Sequence, residues 1–167
     1  MDSKEDEQGH DDFRALCVAV GFVVLNWAII EQQIDNWVNI AFINCGGRSL
    51  RGVDGIPRSF RRKAKFLKDS FRKLPSLSPF AAEGLALLAR ASVWADERNN
   101  LVHGGITSLE PQNGAFQFRK IGYLKGNHTV STFMFTPSDF STLETALEEL
   151  LTEQLAFSQK LADTFLS

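Results

Sequence analysis

Arg98, Asn99 and His103 have the side-chain types and the spacing of a site that moves protons beside a phosphate group. Histidine ordinarily titrates at about pH 6.5, so it can accept or donate a proton near neutrality. Arginine keeps its positive charge and presents a planar set of donors to phosphate oxygens. Asn99 precedes His103 by four residues, which is about 40° around a helix, so its amide can hold the imidazole or the phosphate.

These groups are sufficient, in principle, to cleave RNA without a metal ion. A base removes the proton of the 2′-hydroxyl, a cation stabilises the phosphorane-like transition state, and an acid protonates the leaving oxygen. His103 and Arg98 supply those parts, and we include Asn100 as a supporting residue. The segment therefore predicts an RNA-cleaving site that uses no metal and no other cofactor.

A single copy of the chain arranges the two charged groups awkwardly. Arg98 and His103 are five residues apart, so they point about 140° apart on a regular helix. Two copies related by a two-fold axis can bring both pairs into one cleft, where one histidine is the base and its mate the acid. We therefore predict a homodimer with a composite site. A structural role is the alternative, because Arg or His in the last turn of a helix also interacts favourably with the helix dipole.

The same segment resembles the motif of HEPN domains, a family of helical bundles that includes many metal-independent ribonucleases. That motif is an arginine, a polar residue, three further residues and a histidine near a helix end, and Arg98, Asn99 and His103 match it. The glycine that follows the histidine also resembles bacterial members, as do the segment 27–31 (Trp-Ala-Ile-Ile-Glu) and the basic stretch 60–65.

By order of elements the resemblance covers roughly residue 11 to the end, although as sequence it depends on one short motif. It departs from the family in Asp96 and Glu97, which precede the arginine, and in a predicted hairpin before the last helix. The resemblance implies a composite dimer site, and a toxin or phage-defence effector restrained by an antitoxin or inhibitor protein. Some relatives bind RNA, a nucleotide or a protein without cleaving anything, so a binding module is the alternative function.

Hydrophobic spacing predicts the helices that must position these residues. We expect helices over about 11–44, 60–74, 79–103 and 137–165, the first ended by Cys45-Gly46-Gly47 and the third by Gly104-Gly105. Alternating apolar residues at 115–135, around Lys125-Gly126-Asn127, predict a β-hairpin. The predicted fold is mainly α: an up-and-down helical bundle, HEPN-like by resemblance, with a β-hairpin insertion before the last helix.

Charge divides the chain into a tail and one domain. Residues 1–12 hold six acids and one lysine, a charge of −5, so the rest carries +3, the difference from the total of −2. We predict a disordered acidic tail at 1–10 and a single domain at 11–167. The chain starts with acids rather than a basic and then apolar stretch, and it has only two cysteines, Cys17 and Cys45, so we predict a cytoplasmic protein.

Glu31 and the second helix are further candidates. Glu31 lies in line with Trp27, Ile34 and Val38, so we predict either burial beside a partner such as Arg98 or a place in water at the edge of the stripe. The second helix is strongly basic. Its best candidates for contact with RNA phosphates are Arg61, Arg62, Lys65 and Lys68. A solvated helix face is the alternative for that charge.

Other classes of site are disfavoured by the sequence. His10 and His128 are too isolated for a metal site, and there is no phosphate-binding glycine loop or Gly-x-Ser-x-Gly elbow. The phenylalanines of the hairpin can stack on bases, but alternating Phe is more often core packing. The apolar run 15–25 is short for a membrane span, so we predict no membrane partner. A membrane-surface protein that uses residues 15–30 and the basic second helix is a third alternative.

Overall fold

The computed structural model describes residues 2–51, 55–108, 115–124 and 127–166. For residues 2–9, 51, 123 and 124 the description covers the backbone alone. Its described part is mostly helical and includes one antiparallel sheet. The helices are α1 (Asp2–Asn39), α2 (Arg48–Arg51), α3 (Phe60–Lys73), α4 (Ala81–His103) and α5 (Pro137–Phe165). A π-helical turn, Ile40–Asn44, extends α1, and a 3₁₀ helix, Pro75–Phe80, precedes α4.

The sheet has the order β1-β2-β3, with β1 at Gly105–Ile106, β2 at Phe116–Leu124 and β3 at Asn127–Phe135. The predicted hairpin is confirmed, because β2 and β3 pair from Phe116↔Phe135 to Leu124↔Asn127. Lys125 and Gly126 of the predicted turn lie outside the described residues. The sequence analysis missed β1, whose two residues are too few to show an alternating pattern.

Helix α1 begins earlier than the apolar spacing indicates. Its backbone is helical from Asp2, so residues 2–10, which we predicted as a disordered tail, belong to the helix in the structure. At the other end of the helix, Gly46 takes a φ of 80°, the left-handed conformation that glycine adopts readily.

Backbone contacts divide the chain into two compact units. The first unit contains Met1–Asn26 and Ala95–Leu147, and the second contains Trp27–Trp94 and Glu148–Ser167. Each unit draws on both the N-terminal and the later helices, so neither is a continuous stretch of sequence. Our expectation of a single domain at 11–167 stays a prediction.

The first unit is built around the sheet. Phe118 is buried against Phe135 with ring centroids 5.4 Å apart, and Phe135 stacks on Phe140 of α5 at 5.6 Å. Phe116 is also buried, and Phe133 is half-buried. Three of the four hairpin phenylalanines are thus core residues, which favours packing over base stacking.

The second unit has an aromatic core. Trp37 meets Phe157 edge to face with centroids 4.8 Å apart, and the indole Nε1 donates a hydrogen bond of 2.7 Å to Ser158 Oγ. Phe71 of α3 packs on Phe157 at 6.0 Å. Gly84 of α4 allows this close approach, because a Cβ built there lies 2.6 Å from the Phe71 ring.

Among the described residues, one helical stretch, His10–Asn44, is long and apolar enough to cross a membrane, with a mean hydropathy of 2.1 over 18 residues. Core helices of soluble proteins meet the same criterion, and so do signal sequences near an N-terminus. A single stretch of this kind is weak support for a span and is consistent with a soluble protein.

Candidate functional site

Helix α4 carries the Arg98–His103 motif at its C-terminal end, in the first unit. The helix is regular to its last residue, His103, and the next amide, Gly104 N–H, still donates to Asn100 O at 3.0 Å. The angular estimate for a regular helix therefore applies, and it places Arg98 and His103 about 140° apart. One copy of the chain holds the two side chains on different faces of α4.

Arg98 is held by its neighbour. Its Nη1 donates a hydrogen bond of 3.0 Å to Asn99 Oδ1, and the side chain is half-buried. The Nε of Arg98 is buried and has no hydrogen-bond partner within the described part of the chain. An asparagine whose oxygen accepts from a guanidinium keeps its amide NH₂ for another acceptor. The amide NH₂ of Asn99 and the remaining guanidinium N–H groups of Arg98 are the donors that this pair can offer to an anion.

His103 is exposed at the end of the helix. An exposed imidazole can reach a bound polymer, which a buried one cannot. Asp96 is exposed and Glu97 half-buried one turn or more before it. The structure thus brings Arg98 and Asn99 together and leaves His103 open to solvent on another face.

The sheet supplies a residue that the sequence analysis missed. Lys120 of β2 points its Nζ to Asn100 Oδ1 at 3.4 Å, which brings a second cation to the motif. The contact joins residues twenty positions apart, so only the folded chain reveals it. The one available signal is the strand period: Lys120 lies on the same side of β2 as Phe116 and Phe118.

Gly104 allows the sheet to lie close to the end of α4. A Cβ at this position would be 2.4 Å from Asn100 O and 3.2 Å from the Cβ of Phe118. Gly105 then opens β1 and pairs with Arg119 of β2. The glycine that follows the histidine is therefore favoured by packing, because a Cβ there meets the carbonyl of Asn100 in the preceding turn and presses on Phe118 of β2.

Glu31 lies in the second unit and has Lys63 as its partner. Lys63 Nζ lies 3.3 Å from Glu31 Oε1 and 2.7 Å from Asp35 Oδ1, and its side chain is 8% exposed. Asp35 is one turn beyond Glu31 on α1, so two carboxylates converge on one ammonium. Glu31, itself one-third exposed, is paired and partly hydrated, which combines the two predicted alternatives.

The basic helix α3 is also in the second unit. The four residues proposed for RNA contact are largely available, since Arg61, Arg62 and Lys65 are exposed and Lys68 is half-buried. Lys63, between them, turns inward to the ion pairs. The apolar face of α3 agrees with the predicted spacing, with Ala64, Leu67, Phe71 and Leu74 buried.

Within the described ranges, no group of three or more His, Cys, Asp or Glu side chains is arranged to hold a metal ion. Cys17 is exposed and Cys45 buried. Burial raises the pKa of the Cys45 thiol, and a hydrogen bond with Ser76 offsets part of that rise.

No family model, no curated protein and no solved structure matches this chain.

Proposed function

We propose that this protein is a metal-independent endoribonuclease whose active site forms between two copies of the chain, from Arg98, Asn99 and His103 of each. The proposal rests on the geometry of the side chains at the C-terminal end of α4. There an exposed histidine follows an arginine whose Nη1 is fixed by the adjacent asparagine. The resemblance of this segment to the HEPN motif supports the same assignment and, with it, a HEPN-like bundle.

In the proposed reaction one His103 removes the proton of the 2′-hydroxyl, and the 2′-oxygen attacks the adjacent phosphorus. Arg98 stabilises the charge on the phosphorane-like transition state with its donors. The His103 of the other copy protonates the departing 5′-oxygen. The products are a 2′,3′-cyclic phosphate and a 5′-hydroxyl. DNA has no 2′-hydroxyl and survives.

The homodimer is supported by two features of the first unit. The regular end of α4 separates Arg98 from His103 by about 140°, so one copy supplies them to different faces. Helix α1 exposes Val18 and Leu25, which are 67% and 69% accessible and seven residues apart on one face. A second copy would cover such apolar residues. Sedimentation at micromolar concentration should therefore give twice the chain mass of 18.6 kDa.

Exposed cations of α3 are the proposed contact for the RNA backbone. Arg61, Arg62 and Lys65 supply attraction that does not depend on sequence and that salt weakens. The cellular role proposed from the resemblance is a cytoplasmic toxin or phage-defence effector, restrained by an antitoxin or inhibitor protein.

The test is cleavage of labelled total RNA in EDTA by the wild-type protein and by His103→Ala. His128→Ala is the matched control, because His128 is another exposed histidine of the first unit, on β3. We expect cleavage by the wild type and by His128→Ala, and a loss of at least about 100-fold for His103→Ala, the usual contribution of a general acid or base. Equal rates for the two histidine variants would refute the assignment.

A binding module is the second candidate, and one observation favours it. Arg98 already donates to Asn99 and is half-buried, as a structural arginine would be. In that case RNA stays intact at every protein concentration, and His103→Ala binds RNA as tightly as the wild type does.

A further inference from the structure

Among the described residues of the first unit, Lys120 is a cation that the fold carries to the α4 motif from a different element. β1 follows directly on α4, β2 pairs with β1, and Lys120 in β2 lies 3.4 Å from Asn100 Oδ1. Because side chains alternate along a strand, Lys120 and its neighbour Arg119 point to opposite faces of β2. Lys120 is half-buried on the side of Phe116 and Phe118, whereas Arg119 is exposed on the other face.

A phosphate at the end of α4 needs more positive charge than Arg98 alone provides. The C-terminal end of a helix carries about half a negative elementary charge, which repels an anion. Asp96 and Glu97 add two negative charges in the same segment. A second cation offsets part of this repulsion, and Lys120 is the one that the sheet brings there.

The hydrogen bonds also leave donors available. Lys120 occupies the oxygen of Asn100, just as Arg98 occupies the oxygen of Asn99. Each asparagine then keeps its amide NH₂ as a donor, and an ammonium has three N–H bonds, of which this contact uses one. These remaining N–H groups are the donors from which a phosphate oxygen can accept hydrogen bonds.

We propose that Lys120 is a phosphate-binding residue of the site, which holds a backbone phosphate of the RNA strand on the side of α4 that carries Asn100 and His103, about 60° apart on a regular helix. The inference rests on the proposed function. It makes the sheet, which is a departure from the family resemblance, a part of the RNA-binding surface.

The experiment measures binding of a fluorescent 2′-O-methyl RNA oligonucleotide, which cannot be cleaved through its 2′-oxygen, by anisotropy over a range of salt. Lys120→Gln should weaken binding about ten-fold, the effect of one charge-assisted hydrogen bond. It should also reduce the slope of log K against log salt by about one. Lys120→Arg should restore most of the affinity.

Arg119→Gln is the matched control, because it removes the same charge one residue away on the opposite face of β2. We expect its affinity to fall by less than about three-fold, since its charge acts only at long range through solvent. Equal losses for the two variants would overturn the inference. If Lys120→Gln and the wild type have the same thermal midpoint, the loss of affinity comes from a lost contact with RNA. If the midpoint of Lys120→Gln falls and its salt slope is unchanged, Lys120 stabilises the fold rather than binding phosphate, and the inference is overturned.

The outcomes separate this inference from the proposed function. If the wild type binds the oligonucleotide but cleaves no RNA, and Lys120→Gln weakens binding selectively, the inference stands and the ribonuclease proposal fails. If the wild type cleaves RNA and Lys120→Gln binds and cleaves equally well, the inference fails and the ribonuclease proposal stands. If the wild type binds no RNA, both fail.

Discussion

Removing the charge of Lys63 should destabilise the protein far more than removing that of any other lysine of α3. Lys63→Met keeps the length of the side chain and deletes the ammonium that Glu31 and Asp35 share. The lysine side chain is 8% exposed, whereas the two carboxylates are 33% and 45% exposed. After the substitution the carboxylates face each other one turn apart, with no cation between them.

The exposures set the size of the effect. Breaking a fully buried ion pair costs about 3 to 5 kcal/mol, because one charge is left without water or partner. Here both carboxylates reach solvent and recover part of their hydration, and exposed pairs contribute less than about 1 kcal/mol. We therefore expect a loss of about 2 kcal/mol. For a chain of this size that lowers the thermal midpoint by about 4 to 8 °C.

Urea denaturation of Lys63→Met and Lys65→Met measures the difference, since Lys65 is exposed on the same helix. The control should change the free energy of unfolding by less than about 0.5 kcal/mol. In a Glu31→Gln, Asp35→Asn background, Lys63→Met should cost little or should stabilise. A loss for Lys63→Met no larger than the control's would refute the buried ion-pair geometry.

Three further predictions concern single positions. Asp139 accepts hydrogen bonds from the hydroxyl and then the backbone N–H of Thr136, and these lower its pKa. The pKa of Asp139 is lower in the folded protein than in the unfolded chain, so the stabilisation by these hydrogen bonds is complete above about pH 3.9, the unfolded value. It is lost as the pH falls through the folded pKa. The free energies of unfolding of wild type and Asp139→Asn should therefore converge in acid. Gln154 is fully buried with both amide atoms unpartnered among the described residues, so Gln154→Met should raise the free energy of unfolding in urea by about 1 to 2 kcal/mol; a decrease would contradict the unpartnered amide. Gly84→Ala should lower the thermal midpoint by an amount equivalent to about 1 to 2 kcal/mol, despite the better helix propensity of alanine, because its Cβ meets the Phe71 ring at 2.6 Å; an unchanged or higher midpoint would show that the ring moves freely.

Local patterns predicted the elements that carry the candidate site. The 3.6-residue spacing and the glycines Gly104 and Gly105 located the end of α4 at His103, because a helix needs a special residue to stop. The predicted helix over about 137–165 coincides with α5, whose start is capped by Thr136 Oγ1, the acceptor of the Asp139 backbone N–H. Alternation located β2 and β3, whereas β1 has two residues and depends on its pairing with β2.

Contacts between distant residues were not predictable in the same way. Lys120 reaches Asn100 only because β1 holds β2 against the end of α4, and no local pattern records that pairing. The ion pairs of Lys63 with Glu31 and Asp35 did leave a signal in the sequence. Lys63 lies three residues after Phe60 and four before Leu67, within the apolar stripe of α3, as Glu31 lies within that of α1. Opposite charges in two apolar stripes were a signal of pairing.

The end groups of cleaved RNA test the proposed function most directly. A labelled RNA is incubated with wild-type protein in EDTA, and its fragments are analysed for their 3′ and 5′ termini. The account predicts 2′,3′-cyclic phosphate and 5′-hydroxyl termini, formed by the wild type and by His128→Ala but not by His103→Ala. Fragments with 3′-hydroxyl and 5′-phosphate termini, or RNA that stays intact at every protein and salt concentration, would contradict it.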